Sequence, residues 1–107
     1  MDIKTIKAAQ QFRDDRFTKI DMIKRRRSSV FLLNFLPGQH MKSHNHPDRE
    51  LYLYVIEGRG TLLIDGKEVE VQKGDVMYCH PEEQIGFTNT SEHRVSIYAT
   101  MTKLTEP

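Results

Sequence analysis

The feature that most limits how this chain can fold is a succession of short apolar segments separated by turns that contain glycine. From position 51 onward apolar and polar residues alternate, and the alternation is interrupted at 57–60, at Asp65 and Gly66, and at 73–75. Asp-Gly is a preferred pair for the type I′ turn of a two-residue β-hairpin. Strands at this spacing, with no helical pattern between them, predict an antiparallel sandwich or barrel. The predicted fold class is therefore all-β.

The N-terminal part of the chain adds a helix-compatible segment and a further strand. Residues 2–14 carry a weak helical stripe, and residues 17–23 alternate loosely, as a strand does. We expect residues 1–27 to form a helix or arm together with the first strand, and residues 28–103 to form the barrel. At 107 residues the chain is predicted to be a single domain.

Residues 28–36, SSVFLLNFL, are apolar on both faces of the predicted strand. A strand in a small monomer with one face in water would show alternation instead, so this pattern favours a buried strand or a subunit contact. We therefore expect a homodimer in which the N-terminal strands add to, or pack against, the partner's sheet.

The charge of the chain argues against polyanionic partners. Sixteen Lys and Arg residues are balanced by fifteen Asp and Glu, which leaves a net charge of +1 and predicts binding to neither nucleic acid nor a membrane surface. No apolar run approaches the roughly 18 residues that would predict a membrane span. The first residues lack an apolar signal region, and Cys79 is the single cysteine, so a cytoplasmic location is predicted.

Four consecutive cations at 24–27 allow two interpretations. They form an anion-binding patch, or they form a solvated turn that protects an edge strand from pairing with another chain. The second interpretation is favoured.

Three histidines, His40, His44 and His46, lie within the stretch 38–58. Residues two apart on a β-strand point to the same face, so His44 and His46 are expected side by side. If that face lines a cavity, two imidazoles converge there, and imidazole is the commonest protein ligand for divalent transition metals. Glu50 follows after a turn as a possible third ligand.

The spacing in this stretch matches a pattern of glycine, five residues, His-x-His, three or four residues, glutamate and a closing glycine. It resembles the first motif of the cupin family, with Gly38, His44 and His46 at the matching positions. The family usually has one residue fewer between its glutamate and closing glycine than the seven that separate Glu50 from Gly58 here.

Two arrangements after the turn are therefore open. Glu50 reaches the cavity through a β-bulge, or Leu51 holds the inward position and the carboxylate is lost. The alternation of Leu51, Leu53 and Val55 favours the second arrangement, because it places Glu50 on the opposite face.

The second motif of the family keeps its spacing here and loses its ligand. Gly74 and Asn89 fall in register as the first and last residues of that motif. His80 stands at the proline position, and Ile85 stands where the family has its remaining metal-binding histidine. Isoleucine cannot coordinate a metal.

The resemblance implies a small jelly-roll β-barrel with a short N-terminal helix or arm. Metal-bearing cupins use three histidines and a glutamate to hold manganese, iron, nickel or zinc, and by that resemblance the predicted metal ligands are His44, His46 and Glu50. The residues predicted to border the ligand pocket are His40, His80 and Ile85. Taken alone, each of these two histidines also fits a place on the rim or surface.

Three functions remain open from the sequence. The favoured one is a small-molecule-binding protein with an atypical or partly lost divalent-metal site. The alternative is a metal-dependent isomerase, dioxygenase or decarboxylase that uses His44 and His46 as ligands. The third is a structural or partner-binding barrel whose cavity is filled by side chains, and the histidine pair and Asn89 argue against it.

Overall fold

The computed structural model of the protein describes residues 1–105, which form one short helix and nine strands. In chain order the elements are α1 (Ile6–Ala9), β1 (Thr18–Lys24), β2 (Ser28–Phe35), β3 (His40–His44), β4 (Arg49–Glu57), β5 (Arg59–Ile64), β6 (Lys67–Gln72), β7 (Val76–Cys79), β8 (Ile85–Thr88) and β9 (Val95–Lys103).

The strands make two antiparallel sheets. One has the order β1-β2-β9-β4-β7, and the other has the order β3-β8-β5-β6. Neighbouring strands in each sheet are mostly distant in sequence, as expected when a chain winds back and forth between two layers. The predicted all-β jelly-roll architecture with a short N-terminal helix is confirmed.

β4 shows how the sequence pattern sets the two faces of a sheet. Leu51, Leu53 and Val55 are at most 5% exposed, whereas Tyr52 and Tyr54 on the other face are 49% and 42% exposed. The inward residues join a core between the sheets that also holds stacked and tilted aromatic rings. Because successive side chains of a strand alternate in direction, this single register buries three apolar side chains at once.

The turn between β5 and β6 has the conformation that its residues predict. Asp65 and Gly66 both have positive φ, at 49° and 80°, and Ile64 pairs with Lys67 across the hairpin. A type I′ turn requires positive φ at both central positions, which asparagine, aspartate and glycine tolerate best.

β2 is buried on both faces, and one of them is covered by the N-terminal segment of the same chain. Phe35 faces the core, while Asn34 is fully buried and donates from Nδ2 to the carbonyl of Ala9 at 2.8 Å. Asn34 Oδ1 accepts from Ser96 Oγ at 2.7 Å. The apolar pattern that led us to expect a homodimer is thus accounted for within one chain, and the homodimer itself stays a prediction.

The helix-compatible segment 2–14 forms a single helical turn, Ile6–Ala9, within an otherwise extended arm. Thr5 Oγ1 caps it by accepting from the backbone N–H of Ala8 at 3.2 Å. One turn is marginal as an isolated helix, so its position depends on the contacts of Ala9 and Gln10 with the sheet. Within residues 1–105 no helix has the length and apolar character needed to cross a membrane.

Candidate functional site

The two sheets enclose a cavity of about 140 Å³ near the ends of β3 and β8. Eight of its eleven lining side chains are apolar, among them Phe31, Leu33, Leu53 and Met101. The three polar lining residues are Lys19, His44 and His46. The cavity is therefore mainly apolar, and its polar groups belong to one lysine and two histidines.

The predicted histidine pair is brought together at this cavity. His44 ends β3 and His46 follows it, and their Nε2 atoms lie 3.1 Å apart with ring centroids 4.5 Å apart. His44 Nδ1 lies 2.9 Å from the carbonyl oxygen of Lys42. The two-residue spacing therefore does place both imidazoles on one side of the chain.

These contacts determine where the protons sit in the neutral pair. A carbonyl oxygen only accepts, so His44 Nδ1 donates to Lys42 and His44 Nε2 is left as an acceptor. His46 Nε2 then donates to His44 Nε2, which leaves His46 Nδ1 unprotonated. That nitrogen is buried and has no hydrogen-bond partner within residues 1–105. The site thus holds one buried acceptor that receives no hydrogen bond from residues 1–105.

The surroundings of His46 favour the neutral form of its ring. Burial lowers its pKa, and the positive charges of His44, Arg49 and Lys19 act in the same direction. A neutral imidazole can accept a hydrogen bond or bind a metal.

Glu50 lies on the opposite face of β4 from this cavity. Its carboxylate accepts a hydrogen bond from the Tyr78 hydroxyl at 3.0 Å, and burial together with that bond raises the pKa of Tyr78. Leu51 takes the inward position, is 5% exposed and lines the cavity. The register of β4 against β9 runs unbroken from Arg49 to Val55, so no bulge turns Glu50 inward. The structure therefore removes Glu50 from the predicted ligand set.

Only one of the three residues predicted to border the pocket lines the cavity. Ile85 is 1% exposed, lines the cavity and pairs with His44 across β3 and β8. His40 is exposed at the start of β3, and His80 is exposed with its ring 4.8 Å from that of Tyr78. Neither of these histidines is among the cavity-lining residues, which corrects their predicted place at the pocket.

The residues at the cavity fit only half of a cupin-type metal site. An Nε2–Nε2 separation of 3.1 Å matches two nitrogens that each bind one ion at roughly 2.0–2.1 Å. Structural and catalytic metal sites use three or four protein ligands, and residues 1–105 contain no group of three histidine, cysteine or acidic side chains that could hold an ion. The full ligand set implied by the sequence resemblance is absent from that range.

Lys19 is the pocket residue that sequence reasoning missed. Its Nζ lies 4.6 Å from the centroid of the Phe31 ring, which also lines the cavity. The segment 17–23 was expected to be a strand, and the cavity-lining Phe17 stands two residues before Lys19. Because Phe17 and Lys19 are two residues apart, their side chains point to the same face of the chain, and this spacing could have linked them. Only the order of the strands in the sheet shows that β1 reaches the cavity.

The family model of the cupin domain matches residues 31–101, about two thirds of the chain. This chain is a cupin. The match contains both motifs and most of the strands, including all the cavity residues except Phe17 and Lys19.

Two curated relatives match shorter stretches of this cupin. An uncharacterized protein of Methanocaldococcus jannaschii is 41% identical over 45 residues, which are 42% of this chain and 36% of that protein. The tetracenomycin polyketide synthase protein TcmJ of Streptomyces glaucescens is 30% identical over 46 residues, 43% of this chain and 31% of that protein. The matched stretches span about a third of the length of these curated relatives.

Solved structures share the fold at low sequence identity. The TT1209 protein of Thermus thermophilus superimposes with a TM-score of 0.89 at 22% identity, over 100% of both chains. A predicted oxalate decarboxylase of Thermotoga maritima superimposes with a TM-score of 0.69 at 18% identity, over 88% of this chain and 99% of its own. At these identities the likeness shows the fold.

Proposed function

We propose that this cupin binds a small organic molecule in the cavity between its sheets. The observation that carries the proposal is an apolar cavity of about 140 Å³ lined by His46, whose Nδ1 is a buried acceptor with no partner among residues 1–105. An apolar cavity of about 150 Å³ is large enough for benzene. The cavity of this cupin therefore has room for one six-membered ring or a short branched chain.

The polar groups of the cavity select a ligand with a hydrogen-bond donor. A buried acceptor without a partner costs free energy, and a ligand hydroxyl or N–H that reaches His46 Nδ1 removes that cost. The remaining contacts come from apolar side chains such as Leu53 and Phe31, whose contribution scales with the ligand surface that they bury. The expected ligand is thus an apolar ring or chain that carries at least one donor.

Benzyl alcohol and toluene form a matched pair of probes for this proposal. We expect benzyl alcohol to shift amide signals of β3, β4 and β8 in a two-dimensional NMR titration, and to bind more tightly than toluene. His46→Leu should remove that difference, because it removes the acceptor. Leu51→Phe adds volume to the lining and should weaken both probes, whereas Val76→Phe, at a site 67% exposed, should weaken neither. The absence of shifts at the cavity in the wild-type protein would overturn the proposal.

A metal-dependent enzyme is the second candidate, and the separation of the two Nε2 atoms favours it. His44 and His46 would hold the ion, and a bound divalent ion would act as a Lewis acid on a substrate oxygen. Manganese, iron, nickel and zinc are the metals implied by the family. Two imidazoles alone bind weakly, so further donors would come from the substrate or water.

Elemental analysis of protein purified without added metal tests this candidate. We expect the His44→Ala, His46→Ala double variant to lose any bound metal. Glu50→Gln is the matched control, and we expect it to keep the metal, because the carboxylate lies against Tyr78 on the outer face. A double variant with wild-type metal content would exclude the histidine pair as the site.

A further inference from the structure

A second cavity, of about 290 Å³, adjoins the first and is lined mainly by cations. Nine of the described residues, 1–105, line it, and none of these nine is acidic. Six are basic and come from three separate parts of the sequence: Lys19, Lys24, Arg25, Arg27, Arg49 and Lys103. We call this second cavity the basic cleft.

The sheet order explains why these cations meet. The end of β1, the start of β2, the end of β9 and the start of β4 all lie at the same end of the strands in the five-stranded sheet. Lys24 pairs with Ser29, and Arg49 pairs with Lys103. The turn between β1 and β2 is tied to β9 by a hydrogen bond from the Lys103 N–H to the Arg27 carbonyl at 2.7 Å. The cleft is therefore built on paired strands.

Like charges that face each other across strands repel one another. Arg49 and Lys103 are such a pair. Within residues 1–105 neither of them forms an ion pair with an acidic side chain, and Arg49 donates instead to the Pro47 carbonyl. Arg25, by contrast, forms an ion pair with Asp2. An anion in the cleft would relieve this repulsion and gain charge-assisted hydrogen bonds from Lys and Arg.

The two cavities share part of their lining. Lys19 and Met101 border both of them. Lys19 also places its Nζ 4.6 Å from the centre of the Phe31 ring, which lines the apolar cavity. A single ligand can therefore contact apolar side chains on one side of Lys19 and basic side chains on the other.

We propose that the ligand of this cupin is an organic anion, with its apolar ring in the cavity at the histidine pair and its carboxylate or phosphate in the basic cleft. This inference rests on the proposed function and adds the chemical class of the ligand. Three of the four cations at 24–27, for which the sequence favoured a solvated turn, then form part of the anion site: Lys24, Arg25 and Arg27.

Isothermal titration calorimetry with four probes tests the inference: 3-(4-hydroxyphenyl)propionate and 2-(4-hydroxyphenyl)ethyl phosphate, whose ring hydroxyl can donate to His46 Nδ1, together with benzyl alcohol and inorganic phosphate. We expect at least one of the two ring-bearing anions to bind about 10-fold or more tightly than either benzyl alcohol or inorganic phosphate, because each charged hydrogen bond adds to the apolar contacts. The tighter of the two anions identifies the head group. Affinity for it should fall as KCl is raised, since salt screens the cations.

Charge-removing variants locate the anion. Arg49→Gln and Lys103→Gln should each weaken the preferred anion about 10-fold while leaving benzyl alcohol unchanged. Lys73→Gln is the matched control, because its N–H bonds to the Gly58 carbonyl at the far end of β4 from Arg49. We expect it to change no affinity.

Three results would overturn the inference. If inorganic phosphate binds as tightly as the ring-bearing anions, the cleft is an anion site that does not share a ligand with the cavity. If benzyl alcohol binds as tightly as they do and Arg49→Gln has no effect, the cavity binds neutral ligands and only the proposed function survives. If no probe binds, both proposals fall.

Discussion

Ile85 is the residue at which this cupin departs most clearly from a metal-binding motif, and it lies beside the histidine pair. It lines the cavity and lies opposite His44 in the pairing of β3 with β8. The isoleucine side chain supplies no donor atom, although its backbone lies directly opposite that of His44.

Ile85→His should restore part of the metal site. Loss of even an outer-shell partner costs a metal site about 10- to 100-fold in affinity, so a regained direct ligand should raise the affinity for Zn²⁺ or Ni²⁺ by at least about 10-fold. Competition with a chromophoric chelator measures this affinity. Adding His44→Ala should cancel the gain, because the new imidazole needs its neighbour. An Ile85→His variant with unchanged affinity would show that the two positions do not converge.

The burial of Cys79 predicts how the stability of the protein depends on pH, and this prediction does not depend on whether a metal is bound. The thiol is 1% exposed, and burial, with a smaller effect of the Glu83 charge, raises its pKa from 9.0 to about 11. Because the pKa of the thiol is higher in the folded protein than in the unfolded chain, the folded state holds the thiol proton more tightly. The stability that this proton provides is fully present below about pH 9 and is lost as the pH rises towards 11. Two pH units correspond to a loss on the order of 2 kcal/mol.

Urea unfolding between pH 8 and pH 11 checks this expectation, with Cys79→Ala as the reference for every other titrating group. The wild-type protein should lose more stability than Cys79→Ala over this range. At pH 8 the native thiol should also react with a disulfide reagent only as fast as the protein unfolds. Parallel stability curves for the two proteins would contradict the prediction.

At the scale of the elements, the strands could be predicted where one face is buried and the other is wet. The alternation in β4 identified Leu51, Leu53 and Val55 as inward residues, and the Asp65-Gly66 pair identified the hairpin turn. The histidine pair followed from the same two-residue period. These features depend on local geometry, which the sequence shows directly.

Other elements depend on contacts between distant parts of the chain. β2 is apolar on both faces because the segment around Ala9 covers one of them, and the sequence pattern alone could not distinguish this cover from a second subunit. Lys19 reaches the cavity, and Arg49 meets Lys103, only because of the order of strands in the sheet. Sheet order is a property of the whole fold, so the basic cleft was not predictable from spacing.

Asn34 is the side chain that joins β2 to the N-terminal arm and to β9. It is fully buried, donates to Ala9 and accepts from Ser96. Asn34→Ala removes these two hydrogen bonds and a third one, from Asn34 Nδ2 to Thr18 Oγ1 at 3.1 Å. Because a buried hydrogen bond contributes about 1 kcal/mol, we expect the variant to lower the free energy of unfolding by about 2–4 kcal/mol. Urea denaturation measures this change, and Lys7→Ala, an exposed residue on α1, is the control that should cost little. A small loss for Asn34→Ala would mean that the arm contributes little to the stability of the sheet.

For the molecule as a whole, the net charge of +1 conceals an uneven distribution. Six of the sixteen Lys and Arg residues line the basic cleft, and within residues 1–105 no acidic residue lines it with them. Positive charge is therefore concentrated at one end of the strands of the five-stranded sheet, and under the proposal above it would steer small anions towards the cavity.

The predicted homodimer also belongs to this scale. β1 and β7 form the two ends of the five-stranded sheet, so each presents a strand edge that can pair with another copy. We expect the contact at β1, because the N-terminal strands were the ones predicted to join the partner's sheet. Sedimentation velocity at micromolar concentration should show a species of twice the 12.5 kDa chain mass.

Two charge-introducing variants separate the β1 edge from the aromatic outer face of β4. Ile20→Lys, on the partly exposed β1, should shift the dimer towards monomer, because a lysine on an edge strand opposes strand pairing. Tyr52→Lys, at a site 49% exposed on β4, should leave the dimer intact. Dissociation by Tyr52→Lys alone would move the contact to the tyrosine face, and a single 12.5 kDa species for the wild-type protein would remove the dimer altogether.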